Sequence, residues 1–251
     1  MTQPETNEQK LQEEEYRFPY HYIPHFDHGF FNQVRRMDWG AEYMGYMNFV
    51  IEKIKDIKPQ NMCDVGCGDG RFLHELSKQH SESGLKGVDT SEASLRFARA
   101  FNPRLNFENI DVTNGSISEN PVDLITLIDV LEHISLEYIA DFVKGLDNNL
   151  SESGTLIVTV PCDNIPLQNK HFQHFNKESL ENCLRPHFSE FQFFYLNRYS
   201  KLNNIIKRFF INPYLSVSHL RLQNLFYRWY QKNLILAEPH NACRICVVCK
   251  K

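Results

Sequence analysis

The run Cys63-Asp64-Val65-Gly66-Cys67-Gly68-Asp69-Gly70-Arg71 places three glycines at alternate positions between an apolar stretch and an amphipathic one. Glycines at 66, 68 and 70 remove the side chains that would hold a ligand away from the backbone, and they permit positive φ in a tight strand-to-helix turn. Such a turn suits a nucleoside cofactor. The dinucleotide fingerprint G-x-G-x-x-G needs glycine or alanine where this chain has Arg71, which argues against NAD or FAD. A loop for pyrophosphate also usually lacks carboxylates, yet Asp64 and Asp69 flank this turn and suit a ligand that carries positive charge.

S-adenosylmethionine carries that charge on its sulfonium, and residues downstream fall where it would need them. Leu85-Lys86-Gly87-Val88-Asp89 reads as a short second strand ending in an acid, with Thr90 beside it. A carboxylate at that tip can accept from both ribose hydroxyls. Asp111-Val112 pairs an acid for the adenine amino group with an apolar cover for one face of the ring. Val122 to Ile128 is an apolar run of buried-strand type, followed by Asp129-Val130-Leu131-Glu132-His133.

In these four motifs, Asp64 to Gly70, Gly87 to Asp89, Asp111 with Val112, and Asp129 to His133, the sequence resembles the class I S-adenosylmethionine-dependent methyltransferases. The ubiquinone-biosynthesis O-methyltransferases belong to the same broad group. The resemblance covers roughly residues 40 to 195. It implies an α/β, Rossmann-like three-layer sandwich with a seven-stranded, mostly parallel sheet whose last strand is antiparallel. The cofactor then lies over the carboxyl ends of the first, second and fourth strands. Asp64, Gly66, Cys67, Gly68, Asp89, Thr90, Asp111, Val112 and Asp129 are the residues expected to bind it. The activity implied is methylation of an oxygen or nitrogen on a small metabolite, glycan or lipid-linked acceptor. RNA 2′-O-methylation and a non-catalytic, cofactor-binding regulatory role are the alternatives.

Methyl transfer from a sulfonium is an in-line displacement, so positioning supplies most of the rate and a base within reach adds about 10²–10⁴-fold. His133 directly follows the fourth strand, where residues face the crevice of an open α/β sheet, and it leads the catalytic candidates. His171 and His174 follow the fifth strand and can face the same crevice. Asp129, Glu132 and His133 stand at i, i+3 and i+4, on one side of a helix that begins early enough, and with His171 or His174 they can hold a divalent metal. In the resembled family, small-RNA 2′-O-methyltransferases and certain ubiquinone-pathway enzymes hold a metal through an acid-x-x-Glu-His motif. The shorter Asp129 departs from that motif, and many family members use a similar Glu-His pair structurally, so Glu132 and His133 either fill such a structural or substrate-orienting role or His133 acts as base, and the expectation is a site without metal.

The elements that must position these groups fit one domain. With 251 residues the chain has room for a single methyltransferase domain over 16–251, preceded by an acidic leader (1–15) too polar to fold alone. That leader lacks the apolar core of a signal peptide. An N-terminal cap (16–57) contains Tyr20, His21, Tyr22 and Trp39, which either approach the acceptor or strap the N-terminus to the core. Helices are expected over Glu42 to Lys55, Gly70 to Gln79, Ser91 to Phe101 and Leu136 to Leu150. Further strands are expected over Gly154 to Val160, Phe188 to Leu196 and Cys243 to Cys249. Seven scattered cysteines suit a reducing, cytoplasmic setting. Cys243, Cys246 and Cys249 form C-x-x-C-x-x-C, but on a strand residues three apart point to opposite faces, which opposes a metal cluster. No run approaches the length of a transmembrane helix, and a net charge of −4 argues against wholesale nucleic-acid binding.

From Arg198 through Ala237 the chain has no Asp or Glu but has Arg198, Lys201, Lys207, Arg208, Arg221, Arg228 and Lys232, interleaved with aromatics. Two short helices around Asn212-Pro213 would join a basic face to an apolar one. That composition fits either an ordinary cap or a helical insertion (198–237) that lies at a lipid interface or covers an anionic substrate.

Overall fold

The computed structural model describes residues 25–27, 30–32, 37–212, 214–217 and 219–251. The acidic leader, Tyr20, His21, Tyr22 and the side chain of Trp39 lie outside the described residues. A small hairpin, β1 (His25–Asp27) with β2 (Phe30–Asn32), precedes helix α1 (Met37–Ile57). Strands and helices then alternate as β3 (Met62–Val65), α2 (Arg71–Ser77), β4 (Leu85–Asp89), α3 (Glu92–Phe101) and β5 (Asn106–Asn109). They continue through β6 (Val122–Ile128), α4 (Ile139–Asn149), β7 (Leu150–Pro161), α5 (Lys177–Leu184) and β8 (Glu190–Arg198). Helix α6 (Lys201–Phe210), the hairpin β9 (Ile211–Asn212) with β10 (Leu215–Ser216), and α7 (Leu220–Asn233) intervene before the last strand, β11 (Ala242–Lys250).

The seven-stranded sheet runs β5-β4-β3-β6-β7-β11-β8. All of its strands are parallel except β11, which pairs antiparallel with both neighbours. The chain steps outward from β3 to β5 and then crosses back to β6 on the other side of β3. Crevices for ligands open at such a reversal, outside the carboxyl ends of the strands.

Alternate residues of the central strands feed two cores, one on each face of the sheet. Ile125, Val158 and Val247 join the layer closed by α4 and α5. Leu124, Ile157 and Cys246 join the layer closed by α1, α2 and α3. Burial on both faces explains why β6 and β7 read as continuous apolar runs rather than alternating ones. Helix α3 begins where expected, with Ser91 Oγ accepting from Ser94 N–H at 3.2 Å. Strand β7 begins four residues before Gly154, because Leu150 pairs with Val122 across a register shift that sequence periodicity does not reveal. Cys246 and Cys249 do lie on opposite faces, one in each core, and desolvation pushes the Cys246 thiol up to about 12. Among the described residues no helix is long and apolar enough to cross a membrane.

Gly145 lets α4 approach the chain that links β5 to β6. A Cβ there would lie 2.3 Å from the Val112 carbonyl oxygen. Alanine should gain about 1 kcal/mol in helix propensity but lose about 1–3 kcal/mol or more by overpacking against backbone that cannot rotate away. Gly145→Ala is therefore expected to be net destabilising, by about 1–2 kcal/mol in urea unfolding. A variant more stable than the parent would show that this contact relaxes.

Candidate active site

The glycine turn lies between β3 and α2 and is fastened to β4. Gly66 and Cys67 both donate from their backbone N–H to the Val88 carbonyl, at 2.8 and 3.1 Å, and Gly68 N–H donates to Asp89 Oδ2 at 2.8 Å. Gly66 has φ +71° and sits so close to Val130 that a Cβ would meet its Cγ2 at 2.4 Å. Only glycine meets both demands. Asp89 stands at the tip of β4, its Oδ1 accepting from Ser91 N–H at 2.8 Å, so one carboxylate joins the turn to the start of α3. Each of its oxygens can accept more than one hydrogen bond, which leaves capacity for ribose hydroxyls. Thr90 beside it is exposed, and its carbonyl accepts from Asn109.

Asp64, the next-to-last residue of β3, is almost fully buried, its Oδ1 accepting from Thr126 Oγ1 at 2.7 Å. Desolvation, with a smaller contribution from the charge of Asp89, raises its carboxyl to about 7. The Cys67 side chain turns into the core, whereas Arg71 reaches along α2 to Glu75 at 2.7 Å. Val112 is buried, and Asp111 is exposed with its Oδ1 accepting from Thr113 N–H and Oγ1.

Asp129 follows β6 with φ +60°, a left-handed conformation that Asp tolerates better than most residues. Its Oδ2 accepts from Tyr46 Oη at 2.6 Å, and its Oδ1 accepts from Thr159 Oγ1 at 3.2 Å and from Arg244 Nη1. The Arg244 guanidinium also stacks 4.0 Å from the centre of the Tyr46 ring. Burial pushes the Tyr46 hydroxyl above its ordinary range, so it remains a donor. The i, i+3, i+4 spacing does not operate here. The left-handed residue delays the helical turn to Leu131–His133, and the Asp129 carboxylate points to Tyr46 and Arg244 rather than joining Glu132. Sequence reasoning missed both partners, although a lone arginine within the apolar run 243–249 was a usable signal.

His133, His171 and His174 are brought together by the loop after β7, which is tied down by Phe172 N–H donating to the Glu132 carbonyl at 2.9 Å. The rings of His133 and His171 meet edge to face, 4.8 Å between centres. His133 Nδ1 lies 2.9 Å from the Lys170 carbonyl and His174 Nδ1 lies 3.2 Å from the Ile165 carbonyl. A carbonyl only accepts, so both Nδ1 atoms carry hydrogen. His174 Nε2 then accepts from His171 Nδ1–H at 2.8 Å, which leaves the lone pair of His171 on its Nε2. Burial, reinforced by the neighbouring histidines and Lys170, lowers His171 to about 3, and it is neutral throughout the physiological range. Glu132 is buried with Oε2 lacking a partner among the described residues, and desolvation raises its carboxyl to about 8. Ligand atoms of Glu132, His133 and His171 all lie within 4.8 Å of one another.

The family model for the methyltransferase domain matches residues 58–233, which contain the cradle, Asp129 and the histidine cluster. The chain belongs to that family, the class I S-adenosylmethionine-dependent methyltransferases. Trans-aconitate 2-methyltransferase of Methylobacterium nodulans is 30% identical over 138 residues, 51% of each chain. Ubiquinone biosynthesis O-methyltransferase of Rickettsia bellii is 26% identical over 121 residues, 45% of this chain and 48% of the relative. The chain thus spans about half the length of these curated relatives. Among solved structures, the N-methyltransferase NodS of Bradyrhizobium japonicum, in complex with S-adenosylhomocysteine, superposes with TM-score 0.61 at 13% identity, covering 98% of this chain and 97% of that one. The methyltransferase domain of a bacterial Hen1 (CtHen1-C) gives 0.59 at 15% identity, covering 83% and 97%. These likenesses show a shared fold. The residues of the methyltransferase cradle suit the family's cofactor: a turn that only glycine can make, with the carboxylates of Asp64 and Asp89 on either side for a cationic nucleoside.

Proposed function

We propose that this protein transfers a methyl group from S-adenosylmethionine to an oxygen or nitrogen of a small metabolite, glycan or lipid-linked acceptor. One observation carries the reading: the glycine cradle with Asp64, Asp89 and Asp129 lies at the same carboxyl end of the sheet as three hydrogen-bonded imidazoles. When bound, the cofactor supplies a methyl group made electrophilic by its sulfonium. Gly66, Cys67 and Gly68 admit a ligand to the backbone, Asp89 and Thr90 meet the ribose, and Asp111 with Val112 borders the adenine. Asp129, clamped by Tyr46 and Arg244, fixes the wall between cofactor and acceptor. His133 takes the acceptor proton on Nε2, and His171 and His174 hold the acceptor side in register.

Incubating the protein with methyl-labelled cofactor and a lysate separated into RNA, lipid, glycan and small-molecule fractions tests this. Label in one of the last three is expected. Label confined to RNA would replace the reading with RNA methylation, and cofactor binding without label anywhere would replace it with a regulatory role.

Asp64 adds a dependence on pH. Its raised carboxyl is protonated below about 7 in the free protein, and a cationic ligand beside it favours the carboxylate. Binding then releases a proton below pH 7, so affinity should fall by up to about tenfold per pH unit as pH drops from 7 to 5. Calorimetry in buffers of different ionisation enthalpy would read that release, and a flat profile would place Asp64 outside the ligand's field.

A second reading of the acceptor side is favoured by Glu132 Oε2, which lacks a hydrogen-bond partner among the described residues, and by the ligand atoms of Glu132, His133 and His171 that all lie within 4.8 Å of one another. Glu132, His133 and His171 form an N,N,O donor set of the kind that holds a divalent transition metal, which would bind an acceptor hydroxyl and lower its pKa. Metal addition to chelator-treated protein should raise the melting temperature by several degrees, and Glu132→Gln should lose that shift. Equal responses of both proteins would leave His133 as base alone.

A further inference from the structure

We infer that the insertion between β8 and β11 is a docking surface for an anionic lipid bilayer. Helices α6 and α7 bury one side against α1, where Phe210, Phe226, Tyr230 and Leu234 pack with Ala41, and Gly45 lies close beneath Gln231 and Tyr230. Their other sides are not the polar ones expected of a simple cap. Leu202, Ile205 and Phe209 stand at i, i+3 and i+7 of α6 and are all more than half exposed. Leu225 is 66% exposed on the outward side of α7. Tyr214 is 97% exposed at the tip of the β9–β10 hairpin, whose turn is held by Asn212 Oδ1 accepting from the N–H groups of Tyr214 and Leu215.

Charge identifies the occupant. The segment 198–237 has seven lysines and arginines and no acid, so a chain of net charge −4 divides into +7 here and −11 elsewhere. Lys207 is paired with Glu42 of α1, and none of the other six is paired with a carboxylate among the described residues. Lys201 and Arg208, seven residues apart, run along one side of the outward stripe of α6, and Arg221, Arg228 and Lys232 line the side of α7 opposite Phe226 and Tyr230. Exposed aliphatic groups beside cations that have no carboxylate partner among the described residues match the boundary between anionic headgroups and acyl chains. Against RNA the exposed leucines and isoleucine would meet no apolar partner, because single strands are held by stacking on flat aromatic rings. Against an identical surface on a second copy, cation would face cation.

Sedimentation with vesicles tests the assignment without requiring methyl transfer, so its failure is separate from failure of the proposed activity. The parent protein should pellet with phosphatidylcholine vesicles containing about one third phosphatidylserine, release with added salt, and stay in solution with phosphatidylcholine alone. Ile205→Glu with Leu225→Glu should weaken binding at least tenfold. Arg208→Gln with Arg221→Gln and Arg228→Gln should do so at low salt. Unfolding temperature and S-adenosylhomocysteine affinity should be unchanged in both, because these side chains face away from α1. No binding by the parent, or parental binding by both variants, overturns the inference. So does a dimer in light scattering that the apolar variant converts to monomer, or tighter binding to an RNA oligonucleotide than to the vesicles.

Discussion

Asp129→Ala is expected to lower stability by about 3–5 kcal/mol, a drop in melting temperature on the order of 10 °C for a domain of this size. Three donors converge on that carboxylate, from Tyr46, Thr159 and Arg244, and the Arg244 side chain is only 14% exposed. Removing the acceptor leaves a nearly buried guanidinium without its counter-charge and a buried hydroxyl without a partner. Alanine also tolerates φ +60° poorly, which adds to the loss. Asn keeps the left-handed preference and one acceptor oxygen, so Asp129→Asn should lose roughly half as much. Pairing Asp129→Asn with Arg244→Met should recover part of that, because removing both charges costs less than stranding one. Urea unfolding of the three variants checks the order. An alanine variant within 1 kcal/mol of the parent, roughly the scale of a surface pair, would show that solvent reaches the site.

Asp89→Ala should weaken S-adenosylhomocysteine binding by about 100-fold, or roughly 2.7 kcal/mol, while the protein stays folded. The two roles of the residue separate. Toward the protein, Asp89 accepts from the N–H groups of Gly68 and Ser91 at 2.8 Å each, in a half-buried place where water can substitute, so their loss should cost about 1 kcal/mol apiece. Toward a ligand, it is the carboxylate at the tip of β4, where ribose hydroxyls would lose both a charged acceptor and the turn it holds in shape. Asp89→Asn, with one acceptor oxygen, should fall between. Calorimetric titration beside thermal unfolding distinguishes these effects, and alanine binding within threefold of the parent would move the ribose elsewhere.

The sheet was legible because its central strands are buried on both faces and so appear as apolar runs, and because Gly66, Asp89 and Ser91 each mark the end of an element. Helix boundaries were less so: α4 starts at Ile139 rather than Leu136, and α1 reaches back to Met37. The histidines could be nominated from their places after strands, but their mutual geometry depends on a loop anchored by backbone hydrogen bonds that carry no side-chain signature. Least legible was the surrounding of Asp129. Tyr46 lies 83 residues before it and Arg244 lies 115 after it, and no local spacing links such positions. Its left-handed backbone is what defeated the helical reading of Asp129, Glu132 and His133.

Two buried cysteines of β11, Cys246 and Cys249, give the molecule an internal gauge of its own integrity. Cys63, Cys67, Cys246 and Cys249 are all shielded from solvent, and desolvation raises their thiols far above neutrality, which disfavours the thiolate that alkylating reagents attack. Cys246 and Cys249 lie in different layers of the domain, so the rates at which the two become modified report separately on the opening of each side of the sheet.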